Sequence, residues 1–301
     1  MSQDDHSSIS LLAGPTASGK TGVVLELSPS TIEVISADAM LVYKGMDIGT
    51  AKPSPQEQAL LPHHLIDLCH PDEAFSVADY VRLAEEAIAG VLARGKLPIV
   101  VGGTGFYIQA LMHGLPTVPM VDRGVQQKYW EVFEARGIAP LEQQLQDLSL
   151  REAQRAQRNP RRVIRALEIY ERTGKFAHQF PYTSAKYRYR GYWLDIPHEE
   201  LHQAIEKRCE QMFRQGLIDE VLALKRDFPE WATAQQAIGY KEVLECLDAD
   251  DIKACAKERI VLATRQYAKR QKTWFKKQRD LLALPSKKKA LDILAMELNH
   301  S

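Results

Sequence analysis

Gly14-Pro15-Thr16-Ala17-Ser18-Gly19-Lys20-Thr21 matches the phosphate-loop pattern G-x-x-x-x-G-K-S/T at every fixed position. Residues 9–13 before it read as a short buried strand, and residues 22–27 after it as the start of a helix. This is the strand–loop–helix setting that the pattern requires. Glycines let successive backbone N–H groups turn inward on one phosphate chain, and the helix N-terminus adds its partial positive charge. Gly14, Thr16, Ala17, Ser18, Gly19, Lys20 and Thr21 are therefore expected to bind a di- or triphosphate. Lys20 would neutralise phosphate oxygens, and the Thr21 hydroxyl would help hold Mg²⁺.

The elements that must position this loop follow along the chain. Residues 31–36 read as a second strand that delivers Asp38 at its C-terminal end, where ligand-facing residues sit in open parallel sheets. A distinctive loop, residues 46–53, precedes a third strand at 64–68. Apolar residues at 77, 81, 84, 88, 91 and 92 give an amphipathic helix over 77–94, stopped by Gly95. Residues 97–101 form an uninterrupted apolar strand that runs into Gly102-Gly103-Thr104-Gly105. The alternation predicts a doubly wound parallel α/β sheet of the P-loop type. Residues 120–180 lack strand signals and read as short charged helices at 124–136, 140–148, 150–157 and 160–173, before a strand at 192–196. The simplest organisation is an α/β core, residues 1–118 and 192–301, with an all-helical insertion domain at 119–191.

Two C-terminal helical stretches complete the chain. Within 201–228, Arg208 lies between the apolar positions 201, 205, 212 and 213. An inward arginine needs an anionic partner, either a buried carboxylate or the phosphates held by the loop. Within 256–278, Tyr267, Trp274 and Phe275 fall on an apolar stripe and read as core rather than as base-stacking platforms. The tail beyond Gln278, with a helix expected over 290–298, could pack on the sheet or trail free.

Net charge is zero, but its distribution is not even. Residues 1–120 carry 6 basic against 13 acidic side chains, and residues 121–301 reverse the balance. Residues 151–192 hold 11 basic and 3 acidic side chains; residues 253–279 hold 10 and 1. Such stripes are the footprint of a polyanion partner, or else solvated helix faces. Four cysteines without a C-x-x-C pair suggest neither a zinc site nor a disulfide framework. With no long apolar run and no leader pattern, a soluble, cytoplasmic protein is expected.

The ordered series Gly14–Thr21, Ile35-Ser36-Ala37-Asp38 with Tyr43, Met46–Lys52, Gly102–Tyr107, Arg162-x-x-Arg165-Ala166-Leu167-Glu168, Gln236–Glu242 and Thr264–Phe275 resembles the bacterial tRNA dimethylallyltransferases, or tRNA isopentenyltransferases. The match runs from about residue 11 to about residue 278. The resemblance implies transfer of a dimethylallyl group from dimethylallyl diphosphate to N6 of the adenosine 3′-adjacent to the anticodon in tRNA. The phosphate loop would then hold an isoprenoid diphosphate, which suits the lack of a Walker-B partner, D-x-x-G or N-K-x-D elsewhere.

On that reading Lys20, Mg²⁺ and Arg208 stabilise the leaving group, Asp38 is the general base for N6, and Thr104 hydrogen-bonds the flipped base or phosphate. The tRNA contacts implied are Asp38, Ala39, Met40 and Leu41 around the base, Thr104, Gln126, and the segment Arg161, Arg162, Val163, Ile164 and Arg165. The partner is the anticodon stem-loop, the enzyme a monomer. Where the family usually has a hydroxyl and often a glutamine after the base, this chain has Ala39-Met40-Leu41, which leaves backbone contacts. Gln126 stands where some members carry arginine. The rival activities are an adenylate isopentenyltransferase that makes a free cytokinin, a small-molecule kinase, and a non-catalytic RNA-binding nucleotide switch.

Overall fold

The computed structural model describes residues 8–27, 30–231 and 234–298. In chain order the elements are β1 (Ile9–Ala13), α1 (Lys20–Leu25), β2 (Ile32–Ala37), α2 (Pro55–Leu60), β3 (His63–His64), α3 (Val77–Ala93), β4 (Leu97–Gly102) and α4 (Gly105–His113). There follow α5 (Arg123–Arg136), α6 (Ala139–Leu148), α7 (Leu150–Ala156) and α8 (Pro160–Thr173). The chain ends with β5 (Tyr189–Leu194), α9 (His198–Arg214), α10 (Leu217–Asp227), α11 (Tyr240–Glu245), α12 (Ile252–Phe275), β6 (Leu281–Leu284) and α13 (Lys287–Leu298).

The strands form one all-parallel sheet in the order β3-β2-β4-β1-β5-β6. Alternate side chains of β1 enter different apolar layers: Ile9, Leu11 and Ala13 pack with Tyr80 and Ile88 of α3, and Leu12 packs with Val24 of α1 and Leu294 of α13. Burial on both faces explains why residues 97–101 of β4 read as an unbroken apolar run. The chain divides into two compact units, residues 1–112 with 185–301, and residues 113–184. The helical unit is shorter than the expected 119–191 at its C-terminal side because β5 already begins at Tyr189.

Several local expectations need correction. The third strand is only His63–His64, because Leu65 and Asp67 adopt left-handed backbone (φ 63° and 55°) and turn the chain out of the sheet. The stretch 201–228 is two helices, since Gly216 (φ 97°) ends the first and caps the second. The tail carries a sixth strand, β6, which pairs with β5, and α13 packs on the sheet rather than trailing free. Cys246 and Cys255 are joined in a disulfide, although no disulfide was expected from their spacing. The turn between α11 and α12 folds back, so that nine residues of sequence close to a Cα separation of 6.0 Å. No helix of the described residues is long and apolar enough to cross a membrane.

The helical unit has its own core of Leu141, Leu145, Val163, Ile164, Leu167 and Phe176. Its helices start where side-chain oxygens cap free N–H groups: Asp122 for α5, Ser149 for α7 and Asn159 for α8.

Candidate active site

Three neighbouring strands end at one level. Ala13, Gly102 and Ala37 stand in a single row across β1, β4 and β2. The residues that follow them, Gly14, Gly103 and Asp38, therefore leave the sheet side by side. A sequence gives strand order only indirectly, so this adjacency is what unites the phosphate loop, the Thr104 turn and Asp38.

The loop from Gly14 to Gly19 is wound tightly, with Ala17 (φ 61°) and Gly19 (φ 87°) in left-handed backbone. The Ser18 Oγ is buried and has no hydrogen-bond partner among the described residues. An orphaned hydroxyl in a cradle of backbone N–H groups suits a phosphate oxygen. Lys20 Nζ donates to the carbonyl oxygens of Gly14 (2.8 Å) and Pro15 (2.9 Å). Burial pulls its pKa down to about 8; the Asp38 charge opposes that shift and Arg208 adds to it. Leu201 and Ile205 of α9 pack with Ala17, and this seats Arg208, one turn further along, beside the loop. Arg208 donates to the Thr16 hydroxyl (3.2 Å) and the Thr50 carbonyl (3.0 Å). It forms no ion pair among the described residues, so of its two expected partners the buried carboxylate is absent. Burial holds its pKa below the ordinary guanidinium range, against the pull of Asp38.

Asp38 is half-buried. Its Oδ1 accepts from the Met40 amide at 2.9 Å, leaving Oδ2 as the oxygen open to a substrate proton. The Thr104 Oγ1 accepts from the Ala39 amide at 2.9 Å, so the hydroxyl keeps its own proton to donate. Two of the backbone groups that were expected to replace the missing side-chain contacts at 39–41 are thus engaged within the loop. The Asp38 charge is felt by the phenols of Tyr80, Tyr107 and Tyr267. Tyr80 stacks on Tyr107 at 3.9 Å, and burial followed by the Asp38 charge raises Tyr267 above its ordinary pKa. Trp274 lies against Gly105, where a Cβ would meet its ring at 2.8 Å. Phe275 is core, stacked with Trp193.

Gln271 is the site residue that sequence reasoning missed. Buried on α12, it accepts from the Thr16 amide (2.8 Å) and donates to the Gly103 carbonyl (2.9 Å). One amide thus ties the phosphate loop to the Thr104 turn. A side chain at Gly103 would collide with it, its Nε2 lying 2.6 Å from where a Cβ would stand. The one available signal was a polar residue on the apolar stripe of α12.

The description "IPP transferase" belongs to the family model that matches residues 41–278. Tested against curated proteins, the chain is 48% identical to the tRNA dimethylallyltransferase of Thermus thermophilus over 92% of both chains. It is 42% identical to that of Deinococcus radiodurans over 90% of both. The chain belongs to the IPP transferase family. Among solved members, the tRNA isopentenylpyrophosphate transferase of Bacillus halodurans is 34% identical, with a TM-score of 0.70 over 98% of each chain. A eukaryotic dimethylallyltransferase solved acting on tRNA gives a TM-score of 0.75 at 30% identity, over 92% of this chain and 74% of that one.

At the positions where family resemblance implied tRNA contacts in the helical unit, the side chains divide. Arg161 and Arg162 are exposed at the start of α8 and form no ion pair among the described residues. Val163 and Ile164 face the core, as the helical period requires. Arg165 and Gln126 both donate to Glu168, at 2.7 and 2.8 Å, together with the Asp122 amide (2.8 Å) and Arg172 (3.1 Å). Glu168 is fully buried; burial pushes its pKa up, but these donors outweigh it and hold the carboxyl below its usual range. The second basic stretch, along α12 and just beyond it, divides likewise. Lys257, Arg259, Arg265 and Lys272 pair with Glu210, Glu245, Glu206 and Asp195, whereas Lys269, Arg270, Lys276, Lys277 and Arg279 are exposed without an ion pair among the described residues.

Proposed function

We propose that the protein transfers a dimethylallyl group from dimethylallyl diphosphate to N6 of the adenosine 3′-adjacent to the anticodon in tRNA, releasing diphosphate. The observation that carries the reading is the meeting of two half-buried cations without an ion pair among the described residues, Lys20 and Arg208, with the Asp38 carboxylate beside the ends of three adjacent strands. The loop acts as a P-loop used for an isoprenoid diphosphate. As the allylic C1–O bond breaks, its electron pair moves onto diphosphate. Lys20, Arg208, the Ser18 and Thr16 hydroxyls and the loop N–H groups stabilise that charge. The N6 lone pair bonds to C1, and Asp38 Oδ2 takes the N6 proton.

Thr104 donates its hydroxyl proton to the flipped base, whose unstacking costs a few kcal/mol and is easiest in a single-stranded loop. Mg²⁺ suits this donor set. The Thr21 hydroxyl, a hard oxygen donor at the start of α1, would hold such an ion together with diphosphate oxygens. Such an ion would neutralise charge on the leaving group. Arg161 and Arg162 contact RNA phosphates, while Arg165 and Gln126 shape the helical domain through Glu168. The enzyme works as a cytoplasmic monomer.

The test is purified protein with labelled dimethylallyl diphosphate, offered unmodified tRNA or free adenine nucleotides. Label in tRNA alone is expected. Label in AMP, ADP or ATP would make the protein an adenylate isopentenyltransferase.

A further inference from the structure

The loop that contains Met46–Lys52 has no role in the chemistry above, yet several side chains hold it in place. Three successive backbone N–H groups, those of Asp47 (3.0 Å), Ile48 (2.8 Å) and Gly49 (3.1 Å), converge on the carboxylate of Glu220 in α10. Consecutive amides turned toward one point make a nest for an anion. Here the protein fills that nest with its own side chain. The buried Tyr240 donates its phenol to the same carboxylate at 2.7 Å. The tyrosine ring lies flat against Gly49, where a Cβ would stand 2.4 Å from it. Further anchors close the loop: the Thr50 hydroxyl donates to the Met46 carbonyl (2.6 Å), and Lys52 donates to the Tyr43 carbonyl (2.8 Å).

The outward end of this clamp is the Thr50 carbonyl, which accepts from Arg208 Nη2 at 3.0 Å. Among the described residues the other partner of Arg208 is the Thr16 hydroxyl. A half-buried guanidinium held by two neutral acceptors, with no carboxylate paired to it among the described residues, has its direction set by where those acceptors stand. We infer that Glu220, with Tyr240, is a positioning residue for the diphosphate site: it fixes the 47–50 loop so that the Thr50 carbonyl aims Arg208 at the leaving group. The inference rests on the proposed function, through the role given there to Arg208.

The test is a double-mutant cycle read by calorimetric binding of inorganic diphosphate and by single-turnover transfer to an anticodon stem-loop. Glu220→Gln keeps the shape but puts an NH₂ in place of one of the two oxygens, where it faces two of the loop N–H donors instead of accepting from them. It is expected to weaken diphosphate binding about tenfold, with tRNA affinity unchanged. In an Arg208→Ala background the same substitution is expected to add less than about a twofold loss, since residues acting as one chain are not additive. Equal losses in both backgrounds, or an unchanged affinity in the first, would overturn the inference and leave the proposed function standing. Should Glu220→Gln not fold, Tyr240→Phe removes one bond to the carboxylate while keeping the ring on Gly49. It should show a smaller loss with the same dependence on Arg208, and additivity there is equally fatal. A parent protein that bound no diphosphate at all would overturn the proposed function and this inference together.

Discussion

The cations of the phosphate loop and those of α8 look alike in sequence and are placed in opposite ways. Lys20 and Arg208 are half-buried, and among the described residues their hydrogen bonds go to carbonyl and hydroxyl oxygens. Arg161 and Arg162 are exposed, and Arg165 and Arg172, a turn and three turns on, are tied to Glu168. Desolvating a charge without an opposite partner is unfavourable, so it persists where a ligand completes it. An exposed arginine carries no such debt and contributes through screened, additive attraction to phosphates. The two regions should therefore respond differently to substitution, the first steeply and the second gradually.

The steepest response should come from the carboxylate whose charge both half-buried cations feel. Asp38→Asn keeps shape and hydrogen bonding but cannot take the N6 proton, and single-turnover transfer should fall about 10²–10⁴-fold. Affinity for dimethylallyl diphosphate should hold or improve, because a negative charge beside the cations is gone. A near-normal rate would remove Asp38 as the base. Loss of diphosphate binding alone would recast it as part of the cation-binding site.

Lys20→Ala should follow, with a loss of about 10²–10³-fold in transfer, since one preorganised donor to the leaving group disappears. Dimethylallyl diphosphate binding should weaken while tRNA affinity at low salt stays unchanged. A parallel collapse of tRNA affinity would erase the contrast between half-buried and exposed cations.

How much of this was legible depended on whether a residue's role lay in its own sequence neighbourhood. The phosphate loop carries its context beside it, strand before and helix after, and the boundaries of α8 at Pro160 and Thr173 follow from its cap and its glycine stop. Asp38 and Thr104 could be placed at strand ends, but their meeting depends on β4 lying between β1 and β2. Gln271 and Glu220 were invisible as site residues because each acts 168 or more positions away from what it holds, through hydrogen bonds that no local pattern encodes. Basic runs are equally opaque: Arg265 and Lys272 pair with carboxylates supplied by tertiary structure, whereas the partner of Arg165 is Glu168, three residues on along the same helix.

Gln271 offers an intermediate case that sharpens the comparison. Gln271→Leu leaves the Thr16 amide and the Gly103 carbonyl unpaired in a buried place, each omission worth roughly 1–3 kcal/mol. Because the residue bridges the two halves of the site, both the KM for dimethylallyl diphosphate and transfer to the anticodon stem-loop should suffer, by about tenfold. Melting temperature measured beside the kinetics separates this from unfolding. A stable variant with wild-type kinetics would show that the bridge has no part in positioning.

The helical unit should respond more gently. Arg161→Ala with Arg162→Ala should reduce the salt slope of tRNA binding by about two, one for each lost phosphate contact. Arg165→Ala should leave that slope unchanged and instead lower stability by roughly 1–3 kcal/mol, because Glu168 loses a charged donor. An identical effect of all three arginines on the slope would cancel the distinction drawn from Glu168.

A pH dependence should separate Lys20 from the exposed arginines without any substitution. The Lys20 pKa is drawn down to about 8 by burial, below its ordinary 10.5. The folded protein therefore releases this proton first as pH rises, and between about 8 and 10.5 the unfolded chain binds more protons than the folded one. In that window the burial of Lys20 becomes less unfavourable with rising pH, so the unliganded fold gains stability. Binding changes in the opposite sense. Dimethylallyl diphosphate needs the ammonium form, and its own phosphates are already ionised there. Its affinity should be flat below pH 8 and fall by up to tenfold per pH unit above it, with one proton taken up on binding. Calorimetric titration between pH 7 and 9.5, in two buffers of different ionisation enthalpy, measures both quantities. The affinity of Arg161 and Arg162 for RNA should not move in this range, since an exposed guanidinium keeps its charge. Diphosphate binding that ignored pH, without proton uptake, would mean that Lys20 stays charged in the empty loop and that its burial does not set its ionisation.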